Sequence, residues 1–490
     1  DAHLNLGVIL QDLGNLKDAE LSTRKAIELN PNFADAHLNL GVILQDLGNL
    51  KDAELSTRKA IELNPNFADA HSNLGSILKD LDKLKDAELS ARKAIELNPN
   101  LADAHLNLGD ILRDIDNLRD AELSTQKAIE LNPNFTDAHL NLGVILQDLG
   151  NLKDAELATR KAIKLNPDYA DAYFNLSSIQ LLKGNYQSGL KNYEYRFKKK
   201  KPVIPYGKMK IKRSNTIDSA QGNKLLIVAE QGLGDTLQFM RYIPYIFKQG
   251  IDVSFCAQEK LHTLIKTSGI DKNPLTPEKT SQVAKGVWIP LLSVPKYLKV
   301  SPKNPIVSEP YIDSTFELKK KWKQILSNEK KPIIGINWQG NPELENTYKG
   351  RSIPLKLFST LLDQNDITLL SLQKSFGSEQ FNLCSFKDKF VECQTQIDAT
   401  WDFLENAAII ENCDLIITCD TSIAHLAGGM GKNVWLLLRD VPYWTWGLIE
   451  ESTFWYPSMR LFRQKERHNW EEVMRRVSNQ LKSHDFQKNI

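Results

Sequence analysis

The feature that most constrains this chain is internal repetition with a period of 34 residues. Residues 1–33 and 35–67 are identical, and the same glycine recurs at positions 7, 41, 75, 109 and 143. Within each unit, apolar residues follow helical spacing in two stretches, which Gly48-Asn49 separates. Asn64-Pro65 closes the unit, because proline disfavours helix for the residue before it. The pattern predicts a helix–turn–helix in every unit.

This repeat resembles the tetratricopeptide repeat. Leu40-Gly41, Ala53, Ala60 and Pro65 fall on that family's signature positions, although His37 stands where the family often has tryptophan. The resemblance implies an all-α superhelix of five clear units and a sixth, degenerate unit from Asp171 to about Arg196. Because Asp1 enters in the middle of a unit, we expect more repeats before it in the full protein.

Two polar side chains also recur once per repeat. The histidines lie one repeat apart and form a row, so they do not surround one common point. This favours a role in helix packing over a series of metal sites. By resemblance, the recurring asparagines lie on the inner helices, where amides can hold the backbone of an extended peptide. A similar ladder occurs in protein O-GlcNAc transferases, but asparagine is also common here in tetratricopeptide repeats generally. The predicted peptide-binding residues are Asn5, Asn39, Asn73, Asn107, Asn141 and Asn175.

The repeats differ mainly on these inner helices. The third unit has Ser72, Ser76 and Lys79, and the fourth has Asp110 and Arg113, where the second has leucine, valine and glutamine. Either these changes adapt a binding surface, or they are drift on an exposed face.

Composition excludes several classes of protein. The 490 residues carry a net charge of +1, so no global field attracts nucleic acid or lipid. No apolar run approaches the roughly 20 residues of a membrane span. The five scattered cysteines argue against a disulfide framework or zinc site and fit a reducing compartment. We therefore expect a cytoplasmic location, with no metal, no nucleic-acid partner and no transmembrane segment.

A basic stretch follows the repeats. From Lys191 to Arg213 there are ten basic residues and one acidic residue, a net charge of +9. Because it contains Pro202 and Pro205, we predict a solvated linker over residues 198–222, although contact with an anionic acceptor or membrane surface is an alternative.

Short apolar runs then alternate with helical stretches. The predicted strands are Leu225–Ala229, Val253–Cys256, Val287–Pro290, Ile333–Asn337, Ile367–Leu372, Phe390–Cys393, Leu415–Thr418 and Val434–Leu438. Such alternation predicts parallel sheets, with ligands at the carboxyl ends of the strands. We predict two Rossmann-like lobes, with the domains 1–197, 198–222, 223–322 and 323–490. Gly232-x-Gly234 lacks the third glycine of a dinucleotide site, since Leu237 occupies its place.

Two loops of the second lobe suit a phosphate ligand. Asp420, Thr421 and Ser422 join a strand to a helix, and backbone N–H groups at a helix N-terminus bind phosphate. His425 follows one turn later on the same side. The other loop is Trp338-Gln339-Gly340-Asn341-Pro342, near Lys349 and Arg351, and guanidinium pairs bidentately with phosphate oxygens. Capping, packing and a surface arginine are the structural alternatives.

The α/β part resembles the ADP-heptose lipopolysaccharide heptosyltransferases, a glycosyltransferase group with the GT-B fold. The matching residues are Gly234-Asp235 and Asp420-Thr421-Ser422-x-x-His425-Leu426-Ala427. The chain is closer still to bacterial tetratricopeptide-repeat glycosyltransferases, through the runs Tyr193–Arg196, Glu230–Phe239, Arg351–Pro354, Ser371–Lys374 and Tyr456–Gln464. The family's Asp-Thr-Gly reads Asp-Thr-Ser here.

The resemblance implies metal-independent sugar transfer from a nucleotide sugar to a hydroxyl, with no further cofactor. Asp235 matches the family's general base. The first lobe is then the acceptor side and the second the donor side, and a protein acceptor docks on the repeats. The predicted donor-binding residues are Trp338, Gln339, Gly340, Asn341, Arg351, Gln373, Asp420, Thr421, Ser422 and His425. Alternatives are a glycan or lipopolysaccharide transferase that uses its repeats for assembly, and an inactive scaffold.

Overall fold

The computed structural model describes residues 1–217, 224–345, 349–363 and 365–486. The chain divides into two compact units, Asp1–Leu176 and Ser177–Ile490. The first unit therefore ends earlier than the predicted boundary at residue 197. Residues 218–222 of the predicted linker, residue 223 of the predicted first lobe and residues 346–348, 364 and 487–490 of the second lie outside the described residues.

The first unit is a stack of antiparallel helix pairs, as the repeat predicts. The helices are α1 (Ala2–Asp12), α2 (Leu16–Leu29), α3 (Ala34–Asp46), α4 (Leu50–Leu63), α5 (Ala68–Asp80), α6 (Leu84–Leu97), α7 (Ala102–Asp114), α8 (Leu118–Leu131), α9 (Thr136–Asp148) and α10 (Leu152–Leu165). The start of α11 (Ala170–Leu182) completes the unit.

Small residues bring the two helices of each pair together. Ala53 of α4 is fully buried, and a Cβ atom on Gly41 of α3 would lie 2.1 Å from Thr57 Oγ1. The recurring glycine is therefore required for close approach of the helices. The turn between them uses left-handed backbone, with φ of 80° at Gly48 and 60° at Asp82, the equivalent residue of the next repeat. Aspartate tolerates this conformation better than most residues with a side chain.

The predicted sixth repeat contributes to the second unit. Its last helix, α12 (Tyr186–Tyr193), is followed by a 3₁₀ turn, Glu194–Phe197. The ring of Tyr186 meets those of Trp444 and Phe454 edge-on, with centroids 6.2 and 5.5 Å apart. These aromatic contacts make α12 part of the core of the α/β unit.

The first sheet of this unit is parallel and has the strand order β1-β4-β2-β3. Its strands are β1 (Lys212–Arg213), β2 (Lys224–Val228), β3 (Asp252–Cys256) and β4 (Val287–Pro290). The accompanying helices are α13 (Leu233–Phe239), α14 (Tyr242–Lys248), α15 (His262–Thr267) and α16 (Val294–Tyr297). The three predicted strands of this lobe are confirmed to within a residue at each end.

The prediction of a solvated linker over residues 198–222 is wrong for its middle part. Lys212 and Arg213 form β1 beside β4. Tyr206, Met209 and Ile211 pack against the buried side chains of this sheet. Lysine and apolar residues alternate from Lys208 to Lys212, which is the period of a strand with one buried face.

The second sheet has the order β6-β5-β7-β8-β10-β9, and β9 alone among the described strands is antiparallel. Its strands are β5 (Ile333–Asn337), β6 (Thr368–Ser371), β7 (Leu415–Cys419), β8 (Val434–Leu438), β9 (Ser452–Thr453) and β10 (Tyr456–Arg463). The helices are α17 (Phe316–Ile325), α18 (Pro342–Glu345), α19 (Gln394–Asp398), α20 (Phe403–Glu411), α21 (Ser422–Gly429) and α22 (Trp470–Lys482).

Two predictions for this lobe differ from the structure. Phe390–Cys393 is not a strand, because Phe390 makes only an isolated bridge to Leu369. The strand β10 was not predicted, since Tyr456–Arg463 mixes apolar and charged residues. Among the described residues, every helix is too short or too polar to span a bilayer.

Candidate functional site

The predicted donor-binding residues lie in loops at the carboxyl end of the second sheet. Trp338–Asn341 follow β5, Gln373 follows β6 and Asp420–Ser422 follow β7. These strands are neighbours in the order β6-β5-β7 and run parallel, so the loops meet at one edge of the sheet. Arg351 precedes a 3₁₀ helix, Leu355–Leu362. Its guanidinium lies against Gly340 and is therefore at the same edge of the sheet.

The amide of Gln373 organises the loop after β5. Its Oε1 accepts hydrogen bonds from the backbone N–H groups of Trp338 and Gln339, both at 3.0 Å. Its Nε2 donates to Gln339 O at 2.8 Å and to Phe376 O at 2.6 Å. Gln373 is 4% exposed and its polar atoms are occupied in this way. Its direct role is therefore to shape the loop, which corrects the expectation that its side chain faces a donor.

Trp338 is also a structural residue. Its side chain is fully buried among the apolar residues of the second sheet, and its indole N–H donates to Gly377 O at 3.0 Å. Its backbone is occupied as well, because Trp338 N donates to Gln373 Oε1 and Trp338 O accepts from Ile353 N at 2.9 Å. Trp338 therefore shapes the loop, which corrects the expectation that it contacts a donor. The side chain of Asn341 is exposed, and its Oδ1 accepts a hydrogen bond from Glu343 N at 3.0 Å.

Arg351 lies over Gly340. A Cβ atom on Gly340 would be 2.2 Å from Arg351 Nη2 and 3.4 Å from the methyl group of Thr421. The guanidinium thus sits beside the start of α21 only because residue 340 lacks a side chain. Arg351 Nε is buried and has no hydrogen-bond partner within the described residues. An unpaired buried donor of this kind is what an anionic ligand can satisfy.

Thr421 and Ser422 begin helix α21. Thr421 is the N-cap residue with extended backbone, and its hydroxyl makes no cap hydrogen bond. Instead, Thr421 Oγ1 donates to Asn337 Oδ1 at 2.8 Å. The first N–H groups of a helix have no intrahelical acceptor, so this helix end can bind an anion. Asn337 was not predicted, although a polar residue that ends a buried strand is a recognisable signal.

Helix α13 of the first sheet packs against α21. A Cβ atom on Gly234 would lie 3.0 Å from His425 Cδ2 and 3.7 Å from Ser422 Cα. This contact places Asp235, in the first turn of α13, opposite the start of α21. The structure therefore brings the predicted general base and the predicted phosphate-binding loop together.

Burial and nearby charges both shift the pKa values of the carboxyl groups at this contact. Burial, with the nearby charges of Asp420 and Glu230, raises the pKa of Asp235 to about 7. Burial also raises the pKa of Asp420, and Arg351 opposes that rise. Like charges that share a buried site disfavour ionisation. Asp235 therefore changes protonation near neutral pH.

His425 is neutral at physiological pH. Burial, with the charges of Arg241 and Arg351, lowers its pKa to about 3. Its Nδ1 lies 2.9 Å from Tyr456 Oη, and its ring stacks on Trp446 with centroids 5.2 Å apart. A neutral, packed ring cannot act as a cation for phosphate, so His425 serves the packing of α21. Tyr456 and Trp446 were not predicted in this role, because they lie far from the motif in sequence.

No group of three histidine, cysteine, aspartate or glutamate side chains suited to a metal ion occurs among the described residues.

The recurring asparagines fall into two groups. Asn107 donates to Ser72 Oγ at 2.9 Å, Asn141 to Asp110 Oδ1 at 2.9 Å and Asn175 to Thr159 Oγ1 at 3.0 Å. These three side-chain amides are therefore occupied by hydrogen bonds within the repeats. Asn39 and Asn73 are half-buried, Asn5 is exposed, and none of them makes a side-chain hydrogen bond within the described residues. A continuous ladder of six free amides is therefore absent from the described repeats.

The inner-helix substitutions pair with one another. Lys79 Nζ lies 2.6 Å from Asp110 Oδ2, and Arg113 Nε lies 2.8 Å from Asp148 Oδ2. In the second repeat, Gln45 instead reaches Asp80 at 2.7 Å. The changes at positions 79 and 110 are therefore complementary across a repeat boundary.

Comparison with protein families agrees with the repeat architecture. Tetratricopeptide-repeat family models match residues 1–33, 34–67, 57–88, 102–135, 136–169 and 158–191. The first part of the chain therefore consists of tetratricopeptide repeats. Repeats of this class stack into superhelices with concave binding surfaces for proteins and peptides.

A curated relative extends the match beyond the repeats. Protein FlbA of Caulobacter vibrioides is 24% identical over 339 residues, which cover 62% of this chain and 54% of FlbA. The chain thus spans about half the length of that relative. The repeat matches end at residue 191, and residues 1–191 make up less than 62% of the chain. The match to FlbA therefore includes part of the α/β unit.

Several solved repeat proteins are similar to about a third of the chain. A thermophilic TPR protein of Thermus thermophilus is 22% identical, with a TM-score of 0.35, and covers 37% of this chain and 98% of its own. YrrB, a TPR protein with an unusual peptide-binding site, is 27% identical, with a TM-score of 0.28, and covers 35% and 89%. PilF of Pseudomonas aeruginosa is 22% identical, with a TM-score of 0.35, and covers 40% and 89%.

Proposed function

We propose that the α/β unit is a GT-B-type glycosyltransferase that moves a sugar from a nucleotide sugar to a hydroxyl group without a metal ion. The observation that carries the proposal is the carboxyl group of Asp235, with its pKa raised to about 7, opposite the start of α21. A base whose pKa is near the working pH is best suited to accept a proton in the transition state.

The step follows from these groups. The acceptor oxygen attacks the anomeric carbon while its proton passes to Asp235, and the bond from that carbon to the diphosphate oxygen breaks. The leaving diphosphate gains negative charge, which the N–H groups at Thr421-Ser422 and the guanidinium of Arg351 stabilise. A serine at 422 leaves less room for the diphosphate than the glycine of the heptosyltransferase motif that this loop resembles.

The repeats supply the acceptor in this proposal. A protein bound in their concave surface reaches an effective concentration of roughly millimolar at the reacting site when the geometry permits. Asn5, Asn39 and Asn73 have amides free to bind a peptide backbone. Protein acceptors are thus favoured over free glycans.

A thermal-shift screen with ADP-, GDP-, UDP- and CMP-sugars tests the proposal directly. We expect at least one donor to raise the melting temperature, and the Arg351→Gln variant to lose that shift. Arg460→Gln is the matched control, because Arg460 lies on β10 and pairs with Glu451. If no donor raised the melting temperature, the proposal of a glycosyltransferase would be rejected, and an inactive repeat scaffold would be the remaining hypothesis.

The role of Asp235 needs a second measurement. The Asp235→Asn variant should keep the donor-induced shift but lose sugar transfer, or donor hydrolysis in the absence of an acceptor, by at least 100-fold. Transfer at the normal rate in this variant would remove Asp235 as the base.

A second candidate is a transferase acting on a glycan or lipopolysaccharide, whose repeats serve assembly. A row of outer-helix leucines favours it, each between 60% and 68% exposed and one repeat apart: Leu21, Leu55, Leu89, Leu123 and Leu157. Contiguous exposed apolar patches mark association surfaces, and a row of exposed leucines on successive repeats would supply one. Light scattering coupled to gel filtration would show concentration-dependent association, and Leu55→Gln with Leu89→Gln would abolish it.

A further inference from the structure

The loop that carries Asp235 is held from outside the first sheet. It begins at Glu230, which Ala229 separates from β2, and Asp235 lies in the first turn of α13. Its first two residues contact side chains from the end of α12 and the 3₁₀ turn after it. Those side chains are Arg196 and Tyr193, which the sequence alone assigns to a repeat.

Arg196 forms a fully buried ion pair with this loop. Arg196 Nη2 lies 2.7 Å from Glu230 Oε1, and neither side chain is exposed to solvent. The same guanidinium donates to Ser293 Oγ at 2.8 Å and to Glu194 Oε1 at 3.0 Å. It also lies over the ring of Phe197, 4.2 Å from the centroid. These contacts hold Glu230, and with it the start of the loop, against the 3₁₀ turn that carries Arg196.

Tyr193 holds the next residue of the loop. Gln231 Nε2 donates to Tyr193 Oη at 3.1 Å, and Tyr193 Oη lies 3.2 Å from Tyr443 Oη. On its other side, Gln231 O accepts from Gln258 Nε2 at 2.8 Å. Gln258 Oε1 in turn accepts from Thr236 Oγ1 at 2.9 Å, directly after Asp235. The loop is thus fastened on both sides of Asp235.

We propose that Tyr193 and Arg196 are positioning residues for Asp235, and that the segment directly after the repeat match therefore forms part of the scaffold of the reacting site. This inference rests on the proposed function for its catalytic meaning. Neither residue touches the reacting atoms. Each acts through a neighbour of Asp235, and a misplacement of about 1 Å at a reacting group costs on the order of 100-fold in rate.

Hydrogen exchange measured by mass spectrometry tests whether the loop is held. The variants are Tyr193→Phe, which removes one hydroxyl, and Arg196→Met combined with Glu230→Leu, which replaces the buried pair by apolar residues of similar shape. Tyr169→Phe is the matched control, because its hydroxyl donates to Asp137 Oδ1 at 2.6 Å within the repeats. We expect at least tenfold faster exchange over residues 229–240 in both variants and no change in the control.

Kinetics separates positioning from a general loss of structure. We expect kcat for sugar transfer to fall 10- to 100-fold, while KM for the donor and the donor-induced thermal shift stay within twofold. Arg196→Lys, which keeps a cation beside Glu230, should recover part of kcat. Unchanged exchange in both variants, or kcat within twofold of the original, would overturn the inference. If the unaltered protein transfers no sugar, the proposed function fails, and the exchange result still decides whether these residues hold the loop.

Discussion

Replacing Asp235 by asparagine should stabilise the α/β unit at alkaline pH and not at acid pH. Burial and two nearby carboxylates raise the pKa of Asp235 from 3.8 to about 7, so the folded state opposes ionisation of this group. Between about pH 4 and pH 7, the folded state keeps a proton that the unfolded state has lost. The free energy of unfolding therefore falls as pH rises through this window, and that loss is complete above pH 7.

The magnitude follows from the pKa difference. At about 1.4 kcal/mol for each pKa unit, the rise at Asp235 corresponds to about 4 kcal/mol when the carboxylate is fully ionised. Because the side chain keeps some contact with solvent, screening reduces this, and we expect Asp235→Asn to gain about 2 to 4 kcal/mol at pH 8. At pH 4 both side chains are neutral, so the gain should be within about 0.5 kcal/mol of zero.

Urea unfolding followed by tryptophan fluorescence measures this gain selectively. All nine tryptophans lie between Trp288 and Trp470, so the signal reports on the α/β unit and not on the repeats of residues 1–176. Asp252→Asn is the control, since Asp252 is exposed at the start of β3. An equal effect of Asp235→Asn at pH 4 and pH 8 would show that burial does not oppose ionisation here.

Three further predictions concern packing and loop structure. Gly109→Ala should lower the stability of the repeats by about 1 to 3 kcal/mol in a circular-dichroism melt, because the new Cβ atom would lie 2.3 Å from Thr125 Oγ1. Adding Thr125→Ala should restore part of the lost stability. Asp110→Val should destabilise the array by about 1 to 3 kcal/mol, because Lys79 and Asn141 both lose their partner. Adding Lys79→Gln should recover part of that loss in the same melt, and strictly additive effects would refute the coupling of Lys79 with Asp110. Gln373→Ala should weaken donor binding at least tenfold in isothermal titration, since the loop after β5 loses its central acceptor, and unchanged affinity would contradict that role.

The repeat part of the fold was predictable because its information is local. A period of 34 residues, a glycine at the closest helix contact and a proline at each unit end specify the helix pairs without long-range knowledge. The strands β4, β5 and β8 were predicted to the residue for a similar reason, since each is a short apolar run with turn signals around it.

The basic stretch shows how composition can mislead. Its charge suggested a solvated linker, but the apolar residues between the lysines bury one face against the first sheet. Likewise, Arg196 ended a repeat in sequence, whereas its buried partner Glu230 is reached only when α12 packs on the α/β unit. Net charge and position along the chain do not report which neighbour a side chain finds.

The amino-acid sequence by itself determined the helix pairs of the repeats, the parallel α/β character of the remainder and the loops that carry Asp235, Arg351 and Asp420. Only the tertiary structure decided which side chains of those loops are free for a ligand. Trp338 and His425 are enclosed by the packing, and the pKa of Asp235 is raised first by burial and then by the nearby carboxyl groups of Asp420 and Glu230. Burial and electrostatic coupling depend on distances between residues far apart in the chain, and local pattern does not encode those distances.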